Sequence, residues 1–180
     1  MSDLLVWYSH FPHALTGLEL HVAGALNRTS RTVSQLSDPN DEADPLLVIL
    51  TGNDVGDSRL FPTLDLLISA RTGPTALVIG DGWIGTDGPD IRSALVGAGA
   101  VALARSIAVR RHPTGRVNVV CVPESLIGGA GSQRGPLALE ISSADVGDVV
   151  AFVLGRHSSY IHGQVLYADG GRQLFSSLTA

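Results

Sequence analysis

The 180-residue chain carries 12 Lys+Arg against 17 Asp+Glu, a formal net charge of −5, which argues against nucleic acid or an anionic membrane as a partner. Hydrophobic residues make up 44 % and charged residues 16 %, with a mean hydropathy of +0.25. That is enough for the core of a single domain over 1–180, and rich enough to imply a surface covered by a partner. The single cysteine, Cys121, forms no internal disulfide, which suits a cytoplasmic location.

In chain order, the opening MSDLLVWYSH has no basic residue before its apolar stretch and does not read as a signal peptide. Apolar runs are expected to break at Gly, Asp or Pro within about ten residues, short of a membrane span. Leu4 to Tyr8 is an apolar run without alternation, as in a buried parallel strand. Leu18, Val22, Ala25, Val33 and Leu36 recur at roughly helical spacing and predict one helix from Thr16 to about Leu36. An acidic loop from Ser37 to Pro45 follows, then a strand over Leu46 to Leu50 that ends in a turn at Thr51-Gly52-Asn53-Asp54. A helix is predicted over Phe61 to Ser69, a strand over Ala76 to Ile79, and a turn at Gly80-Asp81-Gly82. Pro89 to Arg111 is the longest predicted helix and Arg116 to Val122 a fourth strand. Ile127 to Pro136 reads as a glycine-rich loop. Ser142, three residues before Asp145, predicts a capping box opening a helix through Leu154, and Gly163 to Tyr167 a last strand. Strands alternating with helices predict an α/β domain with a mostly parallel sheet.

The segment Ser142 to Gly171 contains S-x-Y-I-x-G-Q followed by V-x-x-x-D-G-G, and Ala98 to Val122 contains a long helix followed by G-x-R-V-N. Both resemble the short-chain dehydrogenase/reductase family, in the same order and over about residues 90 to 171. The resemblance implies a Rossmann-like, doubly wound sheet. It also implies that a βα segment is missing between Leu36 and Pro45, because the chain is shorter than usual for the family.

The resemblance further implies sites that can be checked one by one. Members place Tyr and Lys four apart on the long helix, as general acid and as the cation that lowers its pKa. Ser93 and Gly97 stand there in this chain. The family's catalytic Ser follows the third strand of this chain, where Asp81 stands, and an ionised carboxylate donates no hydrogen bond to a carbonyl oxygen. The phosphate-binding turn of the family needs glycines, whereas this chain has Trp7 to Gly17 with Pro12 among bulky side chains. Glu124 replaces a glycine near the nicotinamide position. No catalytic or cofactor-binding residue is therefore expected to be intact.

The pair His10 and His13, with His21 beyond, lacks a Cys or acidic residue at matching spacing, so no metal site is expected. Cys121 inside a strand reads as a buried, inert thiol. Arg110-Arg111-His112 reads as a cationic helix terminus. Asp81 beside Trp83 reads as a turn with a packed indole, in preference to a pocket. Gly97 is expected to have nothing close to it, so that Gly97→Ala is neutral or slightly stabilising. Leu95, Gly99, Ala102 and Ser106 form a mostly small stripe on the opposite side of the helix. With Asp169, Gly170 and Gly171, which lie near a two-fold interface in the family, they form the expected interface.

These readings lead to a non-catalytic subunit. It would assemble with a catalytically active member of the family, or with itself, and NAD(P) would be bound only by the active partner. The alternatives are a stand-alone reductase or other enzyme using Asp81 with His10 or His13, and a small-molecule-sensing module built on the vacated crevice.

Overall fold

Six strands form one sheet, every neighbouring pair parallel: β1 (Leu4–Tyr8), β2 (Ser30–Thr32), β3 (Leu46–Ile49), β4 (Thr75–Gly80), β5 (Val117–Val122) and β6 (Val165–Tyr167), in the order β2-β1-β3-β4-β5-β6. The structure is a computed structural model and describes residues 4–8, 18–26, 30–32, 43–51, 57–84, 91–127 and 140–176. The α-helices among the described residues are α1 (Leu18–Ala25), α2 (Leu60–Ser69), α3 (Ile91–Arg111), α4 (Ser143–Leu154) and α5 (Arg172–Ser176).

Alternation along the strands feeds two cores. Leu46, Val48, Leu77, Ile79, Val119 and Cys121 meet α2 and α3 on one face. Leu47, Ile49, Ala76, Val78, Val120 and Val122 meet α1 and α4 on the other. Covered on both faces, β3, β4 and β5 are buried at every residue, which is why their sequences show no polar alternation. The fold is a doubly wound α/β domain. The usual order 3-2-1-4-5-6 puts two strands outside the first. Among the described residues only β2 lies outside β1 here, one strand fewer at that edge than in the usual order. The connection from Thr32 to Leu46 is where the missing βα segment was expected.

Two sequence expectations need correction. The helix predicted from Thr16 to Leu36 stops at Ala25, and β2 pairs with β1 immediately afterwards. Polar residues from Asn27 to Thr32 interrupt the apolar spacing, and a three-residue edge strand owes its existence to its neighbour, with no pattern of its own. Val33 and Leu36 lie outside the described residues. Secondly, α3 is 21 residues long and apolar enough to cross a membrane by length and composition. It packs instead as a core helix, burying Val96, Ala100, Ala104, Ile107 and Ala108 at helical spacing against β4 and β5.

The capping box is present: Asp145 N–H donates to Ser142 Oγ, and Ser142 N–H to Asp145 Oδ2 at 2.8 Å. The motif residues of the last third fasten this part of the sheet. Asn118 Nδ2 donates to the Ile161 carbonyl at 2.9 Å and its Oδ1 accepts from Gln164 N–H at 3.0 Å. Arg116 donates to the Gly155 carbonyl at 2.8 Å, beside Ser158, whose hydroxyl donates to the Val153 carbonyl at 2.8 Å. Arg110 and Arg111 stand in the last turn of α3, as the cationic-terminus reading has it, but Arg111 does not face solvent. It is buried and donates to the Gly73 carbonyl at 2.7 Å, and burial, then neighbouring Arg71, lowers its pKa to about 10. Arg110 remains outside and pairs with Asp65 of α2, whose carboxyl it holds below the usual range.

Candidate functional site

In doubly wound sheets the ligand crevice lies at the carboxyl ends of the strands, here where β4, β5 and β6 end. Gly80 closes β4, and the chain makes a single helical turn over Asp81–Trp83. The Trp83 side chain is 2 % exposed, and this burial agrees with the packed-indole reading. A Cβ placed on Gly80 would lie 2.6 Å from Glu124 Cγ and 3.0 Å from the Trp83 indole nitrogen. The Glu124 side chain and the indole therefore lie directly against the end of β4. This is the region where the resemblance sets a catalytic hydroxyl and a nicotinamide ring.

Asp81 is buried at the centre of this arrangement. Its carboxylate accepts from Gly82 N–H at 2.9 Å and lies 3.1 Å from Arg172 Nε, and Gln173 Nε2 donates to its backbone carbonyl at 2.6 Å. Burial raises the Asp81 pKa above 3.8, and the nearby Asp169 adds to this. Arg172 and the backbone N–H groups of Gly82 and Glu124 oppose the rise without cancelling it. Cys121, fully buried at the end of β5, is pushed up to about 12 by burial, then by Asp169 and Asp81. It is an inert thiol.

The direction at Asp81 has a consequence for stability. A carboxyl with a raised folded-state pKa contributes stability below its unfolded value, and this is lost as pH rises through the folded value. Asp81→Asn should therefore match the wild type closely at acid pH and gain on it as pH rises from about 3.8 towards neutrality. Urea denaturation of both proteins across that range measures it, and a gap that shrinks with rising pH would contradict the assignment.

Ser93 and Gly97 lie on the buried side of α3, and the structure brings Gly97 to the Asp81–Trp83 turn. The expectation of open space at Gly97 is wrong. A Cβ there would stand 2.4 Å from the Trp83 carbonyl oxygen and 2.7 Å from Trp83 Cβ. The turn is seated on α3, and glycine lets it approach.

Leu95, Ala102 and Ser106 are exposed, and Leu95 is 65 % exposed. Gly99 is accounted for within the chain, since a Cβ there would meet the Phe61 ring of α2 at 2.4 Å. Asp169 is turned inward and 2 % exposed, and its carboxylate accepts from Gly171 and Gln173 N–H. Gly170 and Gly171 take φ of 64° and 81°, which the reversal after β6 requires.

His10, His13, Asn53 and the Pro12 turn lie outside the described residues, as does most of the 127–136 loop; the side chain of His21 is likewise outside them. Among the described residues no three His, Cys, Asp or Glu gather to hold a metal. Among the described residues a cavity of about 470 Å³ lies beside His112 and His162 and another of about 530 Å³ between Leu26 and Phe152, and Asp81 lines neither. Sequence reasoning missed Arg172 and Gln173. Their only signal was two polar side chains directly after a glycine pair.

No family model matches the sequence, and no curated protein matches it. Solved structures match it in fold. A 3-alpha-hydroxysteroid dehydrogenase from a Pseudomonas species, complexed with NADH, is 17 % identical with a TM-score of 0.63, over 99 % of this chain and 100 % of that one. The enoyl-acyl carrier protein reductase of Bacillus cereus, with NADP+, is 12 % identical with a TM-score of 0.69, over 96 % of each chain. A short chain dehydrogenase from Leptospira borgpetersenii with bound NAD+ is 16 % identical with a TM-score of 0.66, over 96 % of this chain and 93 % of that one. The fold is that of the short-chain dehydrogenases/reductases.

Proposed function

We propose that this chain is a non-catalytic subunit of short-chain-dehydrogenase fold that assembles in the cytoplasm with a catalytically active relative and supports it, NAD(P) being bound by the partner. The observation that carries the reading is the filled end of β4. A buried Asp81 carboxylate engaged by Arg172 stands where the resemblance puts a hydroxyl, and the Trp83 turn occupies the side of Gly97 where a lysine would lie. Reduction of a carbonyl needs a proton donor and a cation beside it. An anion and a glycine supply neither. On the outside of α3, Leu95, Ala102, Ser106 and Val109 follow one another at spacings that share a face, with Leu95 and Val109 largely exposed, which suits close contact with another subunit.

Two measurements test this reading. Titration calorimetry of the purified chain with NADH and with NADPH should give no binding, and micromolar affinity for either would overturn it. Leu95→Arg should release whatever the chain assembles with, its own copy or a relative co-purified from the native host. Light-scattering mass would fall while the circular dichroism spectrum is kept. An unchanged assembly would remove this face of α3 as the interface.

A further inference from the structure

Downstream of β6 the chain turns back over the strand ends. Asp169, with Gly170 and Gly171 at positive φ, makes the reversal and holds it by accepting from Gly171 and Gln173 N–H at 2.8 and 2.9 Å. The reversal delivers two side chains to the end of β4, some ninety residues earlier in sequence: Gln173 to the Asp81 carbonyl and Arg172 to the Asp81 carboxylate. The two members of the ion pair differ in exposure. The Asp81 side chain is 4 % exposed and that of Arg172 32 %, so the cation reaches a buried anion from the solvent side.

We propose that residues 169–173 form a strap whose Arg172 guanidinium occupies a cation subsite at Asp81, and that when the strap lifts the subsite takes a ligand bearing a guanidinium group. The chain supplies its own occupant. A carboxylate oxygen faces a guanidinium N–H at 3.1 Å, an arrangement that any ligand with the same planar set of donors can reproduce. The pivot is the glycine pair: a Cβ on Gly171 would meet nothing within 4 Å, and its N–H is held by the Asp169 carboxylate. The strap does not depend on the subunit role, and cofactor titration leaves it untouched.

Hydrogen exchange read by mass spectrometry on the full chain tests the proposal, with methylguanidinium as the probe. In the wild type, millimolar methylguanidinium should compete with Arg172 and speed exchange in residues 169–176 while the β4 and β5 amides keep their protection. Arg172→Ala should by itself speed that segment on the order of two- to fivefold, the weight of one partly exposed ion pair. Methylguanidinium should then raise the melting temperature of Arg172→Ala but not of the Asp81→Asn, Arg172→Ala double variant. Exchange in 169–176 that ignores the probe in the wild type overturns the proposal, and so does a probe effect that persists without the Asp81 carboxylate. The wild-type arm needs no substitution, so misfolding of a variant leaves a decisive result.

Discussion

Gly97→Ala is expected to destabilise the protein, although alanine is the better helix former. The helical preference favours alanine by about 1 kcal/mol. Against it stands a methyl group placed 2.4 Å from the carbonyl oxygen and 2.8 Å from the carbonyl carbon of Trp83. These are backbone atoms and cannot rotate away, so α3 and the Asp81–Trp83 turn must separate. Overpacking of this kind costs about 1–3 kcal/mol and sometimes more, so a net loss of about 2 kcal/mol and several degrees of melting temperature should follow. Gly24 in α1 provides the opposite control. Nothing lies within 4 Å of a Cβ there, and Gly24→Ala should gain up to about 1 kcal/mol. Chemical denaturation of both variants decides the matter. If Gly97→Ala is as stable as Gly24→Ala, the turn is not seated on α3. The same contact bears on function, because a lysine at this position would first have to displace the turn.

Trp83→Ala should have the largest single effect, a loss of about 3–5 kcal/mol, as for other buried aromatic truncations. Its indole is 2 % exposed and belongs to the core shared by β3, β4, β5, α2 and α3. The side chain also lies against Gly80, so its removal opens a cavity at the end of β4. Domains hold only about 5–15 kcal/mol in total, so the variant should be marginal. Added indole should recover part of the loss by filling the cavity, and circular dichroism melts with and without it read both quantities. A loss below about 1 kcal/mol would mean that Trp83 lines open space instead of filling it, and the reading of a filled β4 end would fail with it.

Much of the fold was legible because burial on both faces leaves a mark in one dimension. Runs such as Leu46 to Ile49 and Thr75 to Gly80 have no polar alternation, and only a strand covered by helices on each side permits that. The order of strands and helices was visible for the same reason. The segments that carry the family resemblance were also legible, and the structure gives them a mechanical meaning. Asn118, Gln164, Arg116 and Ser158 bind the start of β5 to the loop before β6, a task that asks for particular side chains at particular spacings whether or not chemistry is done nearby. The residue types at Asp81, Ser93 and Gly97, where the resemblance sets a catalytic hydroxyl, a proton donor and a cation, could likewise be read directly.

What only the tertiary structure decided was which groups meet. Spacing along α3 told which residues share a face with Gly97, but not that the backbone of Trp83 presses on that face. It placed Arg111 at a helix end without showing that the end is buried beside Gly73. A three-residue strand such as β2 has too little pattern to identify itself and forms because β1 offers a parallel edge. The pairing of Arg172 with Asp81 depends on a chain reversal at two left-handed glycines after β6. Sequence periodicity records how a residue is oriented with respect to its own element, whereas crossovers between elements set what stands opposite it.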